Sequence, residues 1–285
     1  MLSAAQIEQF RTQGFVVAEA AVPAATVAAL NTVLAGWVEE SRGHTANWDR
    51  MLNGKMRFDL EPGHSAEAPK LRRVGSPCDA SDVYRDYLFE GPAADLVAQL
   101  VGPDVRFHHC KLNIKFPGMA AKVDWHQDLP FEPHTNRDLV TTLLLLDDMN
   151  EENGCLRVVP GSHDTWLSHY SGERFTGATD AALAEGFMRA SVPIAGRAGD
   201  ICLMHGLAVH GSEPNLSERP RRLFIAEMTA ADALPLKQPG IPSVHSGAIL
   251  RGKAARRARL IPGEIEMPQD YAGDSVFAVQ AQQAA

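Results

Sequence analysis

The sequence lacks the features that would place the protein in a membrane or on a nucleic acid. Its longest apolar run, Leu139 to Leu146, contains two threonines and ends at Asp147. Spanning a bilayer takes roughly 18 apolar residues. The 285 residues carry a formal net charge of −8, so no general attraction to DNA, RNA or an anionic lipid surface is expected. We therefore predict no membrane partner and no nucleic-acid partner.

Cysteine is also scarce, and its spacing excludes two kinds of site. The 4 cysteines are scattered without a C-x-x-C pair, so neither a zinc knuckle nor a thioredoxin-type redox centre is predicted. The beginning of the chain lacks a basic segment followed by an apolar one, which a secretory leader would show. These observations predict a cytoplasmic protein.

Four widespread catalytic motifs are missing. The chain has no G-x-G-x-x-G, G-x-x-x-x-G-K-[ST], G-x-S-x-G or H-E-x-x-H segment. The simplest arguments for a dinucleotide enzyme, a P-loop nucleotidase, an α/β-hydrolase and a zincin protease therefore fail.

The order of patterns along the chain predicts an α+β fold. Helical patterns dominate residues 1–102, whereas residues 103–230 contain short apolar runs separated by turn residues, which is typical of strands. Helices followed by many short strands favour a sandwich or barrel with flanking helices. We predict a single domain, 1–285, in which residues 231–285 form a wrap and tail around the barrel.

Periodicity and turn signals predict the individual elements. Helices are predicted over 3–13, 23–40, 83–89 and 92–101, with Ser3 capping the first. Strands are predicted over 15–17, 105–116, 139–146, 155–159, 191–194, 200–204 and 221–228. Residues 41–70 are predicted to form a long loop, and residues 162–191 a helical or irregular insertion.

The segment His126-Gln127-Asp128 is the first candidate for chemistry. Residues two apart on an extended chain point to the same side, so His126 and Asp128 could both reach one metal ion. Roughly one such pair is expected by chance in a chain of this composition. A surface histidine beside an aspartate therefore remains an alternative.

His210, where a predicted strand gives way to a turn, supplies the next candidate. Together with His126 and Asp128 it makes a set of two histidines and one carboxylate. Such a set occupies one face of an octahedron and leaves three positions open, as in non-haem Fe(II) oxygenases. His205 competes for the same role, but we interpret it as a core histidine.

Arg221 and Arg222 open the following predicted strand. An arginine beside a metal can bind the far carboxylate of a dicarboxylate through two parallel hydrogen bonds. Because side chains alternate along a strand, only one of the two can point into a barrel. Periodicity alone does not choose between them, and a surface arginine on an edge strand is the alternative.

Three segments, taken together, resemble the phytanoyl-CoA dioxygenase family of Fe(II)/2-oxoglutarate oxygenases. They are HQDLPF at 126–131, ENGCLRVVPGSH at 152–163 and HGSEPNLSERPRR at 210–222, and they occur in the family's order. The resemblance implies a double-stranded β-helix, a cupin-like jelly roll with flanking N-terminal helices.

The resemblance also implies roles for individual residues. The iron ligands would be His126, Asp128 and His210. Arg221, eleven positions after His210, would bind the C5 carboxylate of 2-oxoglutarate. Further cosubstrate contacts implied in this way are Ser212, Lys111, Asn113, Arg73 and, where relatives carry an aromatic residue, Leu144 or its alternative Thr142.

The expected activity is hydroxylation of a small-molecule C–H bond with O₂ and 2-oxoglutarate, releasing succinate and CO₂, with ascorbate as a stimulant. Desaturation, epimerisation or ring rearrangement at the same iron centre, a cupin-like metal-binding module and a zinc hydrolase are the alternatives. Arg221 favours the oxygenase, since a metal-binding barrel needs no cationic anchor at that spacing. Substrate contacts are expected from 41–60, 131–136, 162–190 and the C-terminal wrap, in a monomer or homodimer.

Three other polar segments are interpreted as structural. His163 is expected to lie near a turn. The adjacent His108 and His109 are expected to point one inward and one outward. The basic run 251–259 is expected to form a solvated helix face, with binding of an acidic group such as a CoA phosphate as the alternative.

Overall fold

The computed structural model describes residues 1–118, 122–269 and 276–281. The helices are α1 (Ala4–Gln13), α2 (Ala24–Ser41), α3 (Pro77–Ala80), α4 (Asp82–Glu90), α5 (Ala93–Val101), α6 (Ala184–Ala190) and α7 (Val276–Ala281). The strands are β1 (Phe15–Ala18), β2 (Trp48–Arg50), β3 (Met56–Leu60), β4 (Leu71–Gly75), β5 (Val105–Lys115), β6 (Val123–His126), β7 (Leu139–Leu145), β8 (Leu156–Val158), β9 (Tyr170–Ser171), β10 (Arg174–Phe175), β11 (Val192–Pro193), β12 (Ile201–His205), β13 (His210–Ser212), β14 (Arg221–Ala230) and β15 (Ile249–Arg251).

Two antiparallel sheets form the centre of the described structure. The larger has nine described strands, in the order β1-β12-β7-β14-β5-β4-β3-β2 with β15 paired to β5. The smaller has the order β11-β8-β13-β6. Strands of both sheets line one cavity, which is the arrangement expected of a double-stranded β-helix.

Helix α1 begins and ends as the sequence predicts. The Ser3 hydroxyl accepts a hydrogen bond from the backbone N–H of Gln6, and the Gln6 side chain accepts one from the backbone N–H of Ser3. The helix ends at Gly14, whose φ is 79° and where an added Cβ would lie 2.6 Å from Nδ1 of His163. His163 is buried beside a 3₁₀ turn and bonds to the carbonyl of Arg11, which confirms its structural role.

The predicted loop over residues 41–70 is wrong in part. Strands β2 and β3 lie within it and continue the larger sheet outward from β4. β3 alternates Met, Phe and Leu with Arg57 and Asp59, and those two charges disguise a strand that is buried on both faces. Arg57 reaches Asp49 at 2.6 Å and Arg72 reaches Asp59 at 3.1 Å. Residues 1–102 therefore contribute four strands as well as helices.

Helices α2, α4 and α5 cover the outer face of the larger sheet. Leu30, Tyr84 and Val97 from these helices share one buried cluster with Leu112 of β5 and Phe224 of β14. Because side chains alternate across a sheet, the neighbouring positions on these strands are left to line the cavity. None of the helices in the described ranges is both long and apolar enough to cross a bilayer.

The basic run 251–259 does not form the predicted helix face. Arg251 ends β15, and residues 252–259 are irregular, starting with Gly252 at a φ of 67°. Arg251 forms an ion pair with Asp95, and Arg259 forms one with Asp232 at 3.1 Å. These acids on the body of the protein hold the segment against it, so the run is part of the wrap.

Candidate metal centre and cosubstrate site

His126, Asp128 and His210 come together in the cavity between the two sheets. His126 ends β6 and His210 begins β13, and the two residues form a cross-strand pair. Their Nε2 atoms lie 3.8 and 3.6 Å from Oδ1 of Asp128. One ligand atom of each residue lies within 4.8 Å of the others, so the three side chains can bind one ion.

Backbone hydrogen bonds orient both histidines for metal binding. Nδ1 of His126 donates to the carbonyl of Asp124 at 2.8 Å, and Nδ1 of His210 donates to that of Ala208 at 2.9 Å. Each Nε2 therefore carries a lone pair toward Asp128. Burial lowers the pKa of His126 well below its ordinary value, which keeps its ring neutral. Two imidazoles and one carboxylate fit Fe(II) with open positions.

Asp128 is held by Thr141, a residue that sequence reasoning missed. The hydroxyl of Thr141 donates to Oδ2 of Asp128 at 2.6 Å and leaves Oδ1 facing the histidines. Thr142 and Leu144, the predicted contacts on this strand, lie on the opposite face, where Thr142 bonds to the carbonyl of Ala226. The choice of Thr142 was therefore wrong by one residue. Every position of β7 is Leu, Val or Thr and is buried, so its pattern does not reveal which face is inward.

Arg221 provides a buried cation in the same cavity. Its side chain is 3% exposed, and it donates from Nε to the carbonyl of Gly154 and from Nη2 to the hydroxyl of Ser212. Among the described residues, no carboxylate lies within ion-pair distance of it. Burial lowers the pKa of Arg221 to about 10. A buried guanidinium without an anion can bind a carboxylate.

Lys115 is a second cation beside Arg221, and sequence reasoning missed it. The two residues pair across β5 and β14, and Lys115 is 1% exposed. Its Nζ donates to the hydroxyl of Ser212 at 2.8 Å, so Ser212 lies between both cations. The predicted contact of Ser212 with the cosubstrate stays a prediction. Burial, followed by the charge of Arg221, lowers the pKa of Lys115 well below its ordinary value.

The other predicted cosubstrate contacts also line this cavity. Lys111 and Asn113 share the inner face of β5, and Arg73 of β4 pairs with Asn113 across the strands. Burial raises the pKa of Asp128, but the charges of His210 and Lys111 outweigh it and leave that pKa below its ordinary value. Lys111 therefore acts on the iron-binding end. The contact of these residues with cosubstrate stays a prediction.

The cavity is large enough for a cosubstrate and a small substrate. Its empty space, including the open mouth, is about 1020 Å³. Leu143, Leu223 and Ile225 form an apolar wall, and Phe277 of α7 stands among the lining residues. Of the segments expected to contact substrate, 131–136 and the C-terminal wrap contribute to the lining. No described residue of 41–60 or 162–190 does, because the former is partly built into the larger sheet.

Three further histidines from the sequence analysis are His205, His108 and His109. His205 is partly buried, accepts a hydrogen bond from the backbone of Leu207 and packs against Phe10 and His163, and burial lowers its pKa to about 4. It is not among the residues that line the cavity, which agrees with its interpretation as a structural histidine. The prediction that His108 and His109 point in opposite directions is wrong. A β-bulge opposite Glu227 turns both rings inward, with their Nδ1 atoms 3.0 Å apart.

Comparisons with known proteins agree with this geometry. The probable alpha-ketoglutarate-dependent hypophosphite dioxygenase of Stutzerimonas stutzeri is 30% identical over 235 residues, 80% of this chain and 81% of that protein. L-proline trans-4-hydroxylase of Streptomyces griseoviridis is 28% identical over 226 residues, 69% of this chain and 81% of that protein. The crystal structure of EctD from S. alaskensis with 2-oxoglutarate and 5-hydroxyectoine, at 23% identity, matches 93% of this chain and 87% of that chain with a TM-score of 0.68, which confirms the fold class. The family model "Phytanoyl-CoA dioxygenase (PhyH)" matches residues 10–223, and the chain therefore belongs to the phytanoyl-CoA dioxygenase family.

Proposed function

We propose that the protein is an Fe(II)- and 2-oxoglutarate-dependent dioxygenase that hydroxylates a C–H bond of a small molecule. The observation that carries the proposal is the presence, in one cavity, of the His126–Asp128–His210 set and the buried guanidinium of Arg221. A cupin-like metal-binding module needs only the first, and a zinc hydrolase has no use for the second. Relatives named as 2-oxoglutarate-type dioxygenases and as hydroxylases support this assignment.

The residues divide the work between two ends of the cavity. His126, Asp128 and His210 would hold the iron, which with O₂ supplies the oxidising power that converts 2-oxoglutarate to succinate and CO₂ and hydroxylates the substrate. Arg221 and Lys115 bind the C5 carboxylate of 2-oxoglutarate, with Ser212 fixing both cations. We propose Lys111, Asn113 and Arg73 as further contacts around the cosubstrate.

The apolar wall of the cavity separates its cationic end from the iron ligands. Leu143, Leu223 and Ile225 stand between the cationic end and Thr141, which holds the iron ligand Asp128. Their side chains exclude water from the space where the C–H bond is oxidised, and electrostatic interactions are stronger where water is excluded.

The cellular setting belongs to the same proposal. The four cysteines of the chain are buried and free, which suits a reducing compartment, and we propose the cytoplasm. We further propose a single catalytic domain that acts as a monomer or homodimer, with ascorbate stimulating turnover by keeping the iron ferrous.

Succinate release tests the proposed reaction. Purified protein with Fe(II), 2-oxoglutarate and O₂ is expected to release succinate when a suitable small molecule from a substrate panel is added, whereas Asp128→Ala is not. With ¹⁸O₂, one labelled atom should enter succinate and one the product. A product that gains no oxygen would indicate desaturation or epimerisation at the same centre. Absence of 2-oxoglutarate binding would indicate the metal-binding module.

A further inference from the structure

A second polar cluster lies in the wall of the same cavity, at the end nearest the iron ligands. Glu227 shares the inner face of β14 with Arg221, six residues further along the strand. Its cross-strand neighbours are His109 on β5 and Thr141 on β7, and Thr141 holds Asp128. Glu227 is 2% exposed, so a carboxylate is buried close to the position of the reaction.

The four side chains of this cluster contact one another in a row, with a carboxylate at each end. Oε1 of Glu227 lies 3.4 Å from Nε2 of His109, and Nδ1 of His109 lies 3.0 Å from Nδ1 of His108. Nε2 of His108 lies 3.7 Å from Oε2 of Glu132. Glu132 is 4% exposed, lines the same cavity and accepts a bond from the backbone N–H of Gly240 at Oε1.

When Glu132 and Glu227 are both ionised, this row of four side chains has too few hydrogen-bond donors. Burial lowers the pKa of both His108 and His109 well below the ordinary value, so each ring is neutral and carries one N–H. One of these two N–H groups is used in the bond between the Nδ1 atoms. Only one is left for two carboxylates, and the 3.4 Å contact favours Glu227 as its acceptor. Nε2 of His108 and Oε2 of Glu132 then face each other as two acceptors.

The unpaired oxygens agree with this count. Oε2 of Glu227 and Oε2 of Glu132 are buried and accept no hydrogen bond from the described residues. In the described part of the chain, the ion pairs of both glutamates are with histidine alone. Burial raises the pKa of Glu132 to about 7 and that of Glu227 well above its ordinary value. The charge of Lys111 lowers the pKa of both glutamates and that of Lys237 lowers the pKa of Glu132, but burial outweighs them, so keeping both carboxylates ionised is costly. A cation bound at this end of the cavity would reduce that cost.

We propose that this end of the cavity, bounded by Glu227 and Glu132, is the substrate subsite for a protonated amine. An ammonium group supplies up to three N–H donors for the unpaired oxygens of Glu132 and Glu227, together with a further positive charge that favours their ionised forms. The inference rests on the proposed function, because it assigns the substrate of the same cavity. It implies that the hydroxylated molecule is a small amine or amino acid, with its ammonium group held close to the iron and its C–H bond against Leu143 and Ile225.

A second metal ion is a weaker interpretation of the same residues. Ligand atoms of His108, His109 and Glu227 lie within 4.8 Å of one another. However, His109 directs Nδ1 toward His108 and Nε2 toward Glu227, so the three side chains are arranged in a row. Metal ligands have to converge on one point.

Binding of n-propylammonium, compared with neutral propan-1-ol, tests the proposal. Both are titrated by calorimetry, without O₂, into protein loaded with Fe(II) and 2-oxoglutarate. The wild type is expected to bind the ammonium at least about tenfold more tightly, which is the size of one charge-assisted hydrogen bond. Glu227→Gln and Glu132→Gln keep the shape of the side chain and should each reduce that preference severalfold. Glu185→Gln, on exposed helix α6, should leave it unchanged.

The visible absorption of the iron–cosubstrate pair is recorded in the same samples. A variant that keeps this absorption and loses the ammonium preference supports the subsite. Equal affinities for the two probes, no binding of the ammonium, or a preference that survives in Glu227→Gln would overturn it, as would two iron ions per chain. Loss of the absorption in the wild type would instead contradict the proposed function, so the two failures can be told apart.

Discussion

Arg221 and Arg222 are neighbours on β14, but their side chains lie on opposite faces of the larger sheet. Arg221 points into the cavity beside Ser212 and Lys115, whereas Arg222 points outward and binds Asp147 through Nε at 2.8 Å. One arginine therefore has its anion within the fold, and the other is left to bind an external one. We therefore expect the two arginines to differ in their effect on the binding of 2-oxoglutarate.

Removing Arg221 is expected to weaken the binding of 2-oxoglutarate. A charge-assisted pair in a partly dry pocket contributes roughly 1.5–3 kcal/mol, which corresponds to about 10- to 150-fold in affinity. Arg221→Lys keeps the charge but loses the planar fork, so its KM for 2-oxoglutarate should lie between those of wild type and Arg221→Ala. Arg222→Ala is the matched control on the same strand. A large rise confined to that control would show that the wrong arginine had been assigned.

The pH dependence of 2-oxoglutarate binding should depend on Lys115. Burial holds the pKa of Lys115 below its ordinary value in the free protein, and a bound carboxylate favours the charged form. Binding therefore takes up a proton, so affinity should fall as pH rises through the pKa of the free protein. Lys115→Met should bind more weakly at neutral pH and lose this slope. Dissociation constants measured at several pH values would contradict the prediction if both proteins gave parallel profiles.

Thr141 and Thr142 offer a matched pair for the iron site. Thr141→Val removes the hydrogen bond to Asp128 and should weaken iron binding by about 10- to 100-fold. Thr142→Val removes a bond to the carbonyl of Ala226 on the other face, so it should cost about 1 kcal/mol of stability and leave iron binding intact. Iron titration and thermal unfolding of both variants separate the two effects. Equal loss of iron in both would contradict the assigned register of β7.

The histidine assignments predict which variants keep iron. His210→Ala and His126→Ala should lose the metal and all turnover while keeping the fold, because each removes one of the three proposed ligands. His205→Ala should keep the metal, since its ring packs against Phe10 and His163 away from the cavity. Iron content after desalting is the measurement. Iron retained by His210→Ala and lost by His205→Ala would reverse the assignment.

Much of the site could be predicted because three sequence segments together resemble one family, whereas alternation alone left Arg221 and Arg222 open. On β14, Arg221, Leu223, Ile225 and Glu227 share the inner face, and the three conspicuous sequence segments mark where these strands begin and end. The α+β order, the Ser3 cap and the structural role of His205 could be predicted from local signals.

The parts that were missed depend on contacts between distant residues. Thr141 and Thr142 look alike in a uniformly buried strand, and only the position of Asp128 distinguishes them. Lys115 was overlooked because a buried lysine is unusual, although it has the parity of Lys111. The paired inward rings of His108 and His109 arise from a bulge opposite Glu227, which no alternation pattern contains.

The visible spectrum of the protein with Fe(II) and 2-oxoglutarate under anaerobic conditions tests the central claim most directly. We expect a weak charge-transfer band that appears only when Fe(II) and 2-oxoglutarate are both present. The band should be absent in Asp128→Ala. In Arg221→Ala it should reach half of its maximum at a higher concentration of 2-oxoglutarate than in the wild type. This readout depends on the metal ligands and the cationic anchor together, and it needs no knowledge of the substrate. Wild-type protein that shows no band at saturating iron and 2-oxoglutarate would contradict the account.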